Sequence, residues 1–78
     1  MVQVTAKRDL RALRVFINGL LHLEVIMEGY SGLQAWQEGT RRCVYKIEFY
    51  RERGKRVVCE YEDRDVWEKV LKAVEENL

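Results

Sequence analysis

Proline is absent from the 78 residues, cysteine occurs twice, and histidine only once. A single serine, Ser31, completes the short inventory of nucleophiles. Two cysteines exclude a disulfide-stapled scaffold, and the lack of proline-rich or low-complexity tracts excludes a linker. No apolar run exceeds three residues (Val15-Phe16-Ile17, Val25-Ile26-Met27), against the roughly 20 that a spanning helix needs. No charged-then-apolar leader opens the chain, which predicts a cytoplasmic protein. Overall basicity is missing too, since the formal charge is +1. What is present is 47% hydrophobic and 35% charged residues, the balance of one small folded domain over residues 1–78.

Charge is unevenly spread along the chain. Residues 1–56 hold 11 Lys and Arg against 6 Asp and Glu, and residues 57–78 hold 3 against 7. Either the two halves neutralise each other on folding, or the first offers a basic surface to an anionic partner.

The C-terminal segment predicts a helix. Val66, Trp67, Val70, Leu71, Val74 and Leu78 recur with the spacing of one buried stripe, and Asp63 or Asp65 caps it. Glu68 and Lys72 stand at i, i+4 in the favourable order. Residues 43–62 alternate with period two. A three-residue loop, Glu52-Arg53-Gly54, opposes Phe49 to Val57, Ile47 to Cys59 and Tyr45 to Tyr61, and places Lys46 opposite Glu60 on the other face.

A second hairpin is predicted around Asn18-Gly19. A two-residue loop would mix the faces, whereas an Ile17-Asn18-Gly19 loop with a bulge at Gly19 opposes Val15 to Leu21 and Leu13 to Leu23. Residues 5–18 also fit a helix closed by Gly19, but Val15-Phe16-Ile17 favours a strand. Residues 29–42 read as a short helix, with Ser31 and Gln34 as a capping box and Gly39 at its end, or as a glycine-flanked loop. Val2 and Val4 add an edge strand, or residues 1–9 are loose. The fold expected is therefore α+β: an antiparallel four-stranded sheet from two hairpins (ββββα), with the C-terminal helix packed on one face.

Little chemistry suits catalysis or a cofactor. A structural zinc site needs four Cys or His ligands and the chain has three in all. Cys43 and Cys59 fall on the predicted core face and His22 on the other, so no Cys–His pair forms. With Ile47 opposite Cys59, Cys43 stands roughly 13 Å away at strand rise, too far for a disulfide. Asp63 and Asp65 are explained by the helix dipole, and Gly29, Gly32 and Gly39 lack a phosphate-loop spacing. The expectation is a protein that is no enzyme and carries neither cofactor nor metal.

The second face of the predicted sheet is more informative. Phe16, Leu20, Ile26, Val44, Tyr50 and Val58 interleave there with charges of both signs, and a single helix covers only one face. An apolar patch of this kind marks an interaction site, and a domain this small gains from dimerising. Tyr30, Leu33 and Trp36 in the connecting segment either extend that interface or fold down to close the core. The expected function is a non-enzymatic interaction module, a homodimer or a protein-binding domain.

Single-stranded nucleic acid is the alternative ligand for the same face. Phe16 and Tyr50 would stack bases, with Arg14, Lys46, Arg56, Arg41 and Arg42 holding phosphates. Four antiparallel strands followed by a helix over residues 10–78 resemble, in element order, the positive-cofactor type of single-stranded DNA-binding domain, which dimerises. The resemblance lies in topology and carries no residue across. Against it, Glu24, Glu48, Glu60 and Glu62 on that face repel phosphate.

Overall fold

Alternation of apolar and polar residues governs nearly the whole chain before Asp63. The computed structural model, which describes all 78 residues, contains six strands and one helix. They run β1 (Val4–Arg8), β2 (Ala12–Ile17), β3 (Leu20–Ile26), β4 (Tyr30–Glu38), β5 (Val44–Arg51), β6 (Val57–Tyr61) and α1 (Arg64–Glu76). The class is α+β, as expected. The expected single four-stranded sheet is not formed: the strands make two antiparallel three-stranded sheets, β1-β2-β3 and β4-β5-β6. Six strands in two sheets also part from the element order of the positive-cofactor type.

Each predicted hairpin gains one flanking strand. Val4 does begin an edge strand, with Ala6 opposite Val15 and Arg8 opposite Leu13. The strand takes residues 4–8 and leaves Val2 outside it, and residues 5–18 are not helical. The Asp9–Arg11 turn explains the break between β1 and β2: the Asp9 carboxylate accepts from the backbone N–H groups of Arg11 and Ala12 at 2.8 and 2.9 Å. Segment 29–42 is also corrected, from short helix or loop to a nine-residue strand. Leu33 and Ala35 pair with Phe49 and Ile47 on the inner face. Gly32, read as punctuation, instead sits at a β-bulge with φ +154° and lets the strand continue.

The first hairpin keeps its apolar face by an unexpected route. Asn18 and Gly19 have φ of 50° and 80°, the paired positive values of a two-residue type I′ turn, and Ile17 pairs directly with Leu20. The mismatch that this loop creates is removed three residues later. The pairing shifts between Phe16↔Leu21 and Val15↔Leu23, leaving His22 as the surplus residue of a bulge. Leu13 and Val15 therefore meet Val25 and Leu23, and not Leu23 and Leu21. Asn-Gly takes the turn it most favours, and the strand absorbs the difference.

The β5–β6 hairpin has the predicted register at every paired position from Tyr45↔Tyr61 to Phe49↔Val57. In α1 the cap is Asp63, whose side chain accepts from the Asp65 N–H. Glu68 pairs with Arg64 at 2.8 Å, so the expected Glu68–Lys72 contact is replaced, while Asp65–Lys69 and Lys72–Glu76 complete the exposed side. Leu78 lies beyond the helix and is exposed.

The inner faces of both sheets and the helix share one core. Leu13, Val15, Leu23 and Val25 come from the first sheet, Ile47, Phe49 and Tyr61 from the second, and Val70 and Val74 from α1. Trp67 seals the edge of this core, stacking at 5.2 Å on Tyr45 and donating its indole N–H to the Lys46 carbonyl at 3.0 Å. Only ten of the 78 residues are buried. The molecule is flat, with extents of 39 × 27 × 17 Å and a radius of gyration of 12.5 Å, against about 11.5 Å for a compact chain of this length.

Candidate interaction surfaces

Because the two hairpins lie in different sheets, the expected second face is divided. Phe16 and Ile26 belong to the outer face of the first sheet, and Val44, Tyr50 and Val58 to that of the second. Leu20 joins neither: it pairs with Ile17 beside the turn and is 75% exposed at the hairpin tip. Leu21, which the sequence reading set inside, pairs with Phe16 and emerges outward through the His22 bulge. Tyr30 and Leu33 pack against the core, so they close it and do not form an exposed recognition loop. Trp36, an even-numbered neighbour of Lys46, points to the outer face instead.

The outer face of the second sheet is the more highly organised of the two. Trp36, Lys46 and Glu60 form one cross-strand row, and Gln34, Glu48 and Val58 the next. The Trp36 indole N–H donates to Glu38 at 2.8 Å. Lys46 lies 3.0 Å from Glu38 and 3.3 Å from Glu60. The indole donor first, and Lys46 second, hold the Glu38 carboxyl below its ordinary range. Glu38 and Glu60 in turn raise the Lys46 ammonium. Tyr50 donates its hydroxyl to Gln34, and the Arg56 guanidinium lies over the Tyr50 ring at 4.8 Å. A Trp and a Tyr, fixed by polar tips, thus stand with Val44 and Val58 on a face that the helix does not cover.

On the first sheet, Arg14 is clamped between Asp9 at 3.0 Å and Glu24 at 2.8 Å, beside Phe16. The cations grouped by the nucleic-acid reading are therefore separated. Arg14 lies on one sheet, Lys46 and Arg56 on the other, and Arg41 and Arg42 in the exposed turn before β5. Most already face a carboxylate: Arg56 lies 3.8 Å from Glu48, and Arg42 3.5 Å from Glu62.

The bulge also re-aims the His22 side chain. Expected on the side away from both cysteines, His22 reaches across to the second sheet, where its Nε2 meets the Tyr61 hydroxyl at 2.7 Å. Cys59 stands two residues from Tyr61 on the same inner face, and burial raises both its thiol and the Tyr61 hydroxyl above their ordinary ranges. A thiol displaced in that direction is a poor nucleophile. Cys43, assigned to the core face, lies in the turn instead, its Sγ 3.0 Å from the Gln37 side-chain amide. No group of three or more His, Cys, Asp or Glu side chains is placed to hold a metal ion, and no helix is long and apolar enough to cross a membrane. Comparison with protein-family models, curated proteins and solved structures finds no match to this chain.

Proposed function

We propose that this chain is a non-enzymatic interaction module that acts as a homodimer, with the second copy docking on the β4-β5-β6 sheet. Surface area is the observation that carries this reading. A folded monomer of 9.3 kDa is expected to expose about 5000 Å², and this chain exposes 5690 Å². The excess of about 700 Å² reflects a flat chain whose thin core is shared between two sheets, and a second copy joined to the β4-β5-β6 sheet would reduce it.

Charge supports a second copy over a polyanion. A polyanion needs cations that are free of carboxylate partners, whereas a second copy of this chain does not. Lys46 and Arg56 alternate with Glu38, Glu48 and Glu60 on this face. A phosphate chain laid there would meet three carboxylates and two cations that are already engaged. Fluorescence anisotropy with oligo-dT is expected to show no binding at low salt, and salt-sensitive binding would transfer the assignment to single-stranded nucleic acid.

The decisive experiment is size-exclusion chromatography with light scattering over a dilution series. The expected mass is twice 9.3 kDa. A single-chain mass at every concentration overturns the proposal.

A further inference from the structure

We propose that the two copies join through the free edge of β4, each β4 pairing antiparallel with the other about a twofold axis perpendicular to the sheet. This rests on the homodimer reading and names its seam. β4 is the longest strand, nine residues, or about 30 Å at ordinary strand rise. It packs substantially against β5 alone. No side chain bonds the backbone of residues 31–38, so the groups turned away from β5 meet no partner in the chain.

The other edges are shorter, bulged or flanked by the helix. Along β1 the helix runs close by, with Lys69 donating to the Val2 carbonyl and Arg8 to the Asn77 carbonyl. β3 is bulged at His22, and Arg51 occupies the carbonyls of Ile26 and Glu28 at its end. β6 has five residues and touches both the helix and, through Tyr61, His22.

β4 also lacks the devices that keep edge strands apart. Tyr30–Glu38 contains no lysine and no proline, and its bulge is confined to the Tyr30–Gly32 end. Its only charge, Glu38, lies at the last position. Antiparallel pairing about a twofold axis sends the two Glu38 side chains to opposite ends, so no like charges face each other. The product is one six-stranded sheet. Its outer faces look the same way, which merges the Trp36 and Tyr50 surfaces of both copies into a single platform.

Amide hydrogen exchange by NMR on the unaltered protein reads the seam directly. An unpaired edge protects alternate amides of β4, whereas a paired one protects Leu33 to Glu38 consecutively. Consecutive protection in a species of dimeric mass is the expected result. Gln34→Lys combined with Gln37→Lys, both on exposed side chains, is expected to halve the mass and restore alternating protection with the circular dichroism unchanged. Val58→Glu, two strands from the seam, is expected to leave the dimer intact. A dimer with alternating protection, or a double-lysine variant that stays dimeric, overturns the edge seam and leaves the homodimer standing. A monomeric wild type overturns both. If the lysine variant does not fold, the exchange pattern of the wild type still decides.

Discussion

At the scale of single residues, Asp9 links acidity to stability. Its carboxylate is held first by the Ala12 and Arg11 backbone N–H groups and then by Arg14, which lowers its pKa from 3.8 to about 2. A carboxyl depressed in the folded state contributes stability that is complete above its unfolded value, near 4, and lost as pH falls towards 2. Glu38, lowered by Trp36 and Lys46, acts in the same sense. Urea titrations between pH 5 and pH 2 are expected to show the decline, and Asp9→Asn is expected to flatten it. Gly39 is a second critical position. At φ +99°, a Cβ there would lie 2.2 Å from the Arg42 carbonyl oxygen, whereas at Gly19 it would meet nothing within 4 Å. Gly39→Ala is therefore expected to cost about 2 kcal/mol or more, and Gly19→Ala about 1 kcal/mol, in denaturant midpoints.

At the scale of elements, opposite faces of β5 and β6 respond differently. Ile47 is fully buried and Val58 is 49% exposed. Ile47→Val is expected to cost about 1 kcal/mol, and Val58→Ala to stay within about 0.5 kcal/mol. Both the inner face of this hairpin and the helix stripe were legible in the sequence. There a glycine turn, apolar alternation and the Lys46–Glu60 pair all select one register, and Trp67 to Val74 repeat at helical spacing. β4 was not legible because Ala35 is a weak apolar signal and Gly32 resembles a chain break, although it only bulges the strand. His22 escaped for a related reason. Nothing in residues 20–26 marks the surplus residue, and only the pairing partner reveals it. Of the candidate surface, Phe16, Ile26, Val44, Tyr50 and Val58 do lie on outer faces, whereas Tyr30 and Leu33 pack on the core and the division between two sheets was not legible. Period-two alternation says which side of a strand is wet, but not which sheet the strand enters.

At the scale of the whole molecule, two short meanders share one helix and enclose very little. The core draws nine residues from both sheets and α1, so neither meander has an interior of its own. Unfolding is expected to be a single cooperative transition, coincident by tryptophan fluorescence (Trp67 at the core) and by far-ultraviolet circular dichroism. Two separated transitions would mean that one meander outlives the other. For the proposed dimer the midpoint is also expected to rise with protein concentration.

The extra residue at His22 also decides where the chain tolerates a change of length. Deleting it leaves Phe16 opposite Leu21 and Val15 opposite Leu23, as they are now, so the ladder closes without a slip and only the tie to Tyr61 is lost. Excising one residue from the middle of β2 turns half of that strand inside out. Shortened by one codon, the same gene would thus give a folded protein in the first case and a misassembled one in the second.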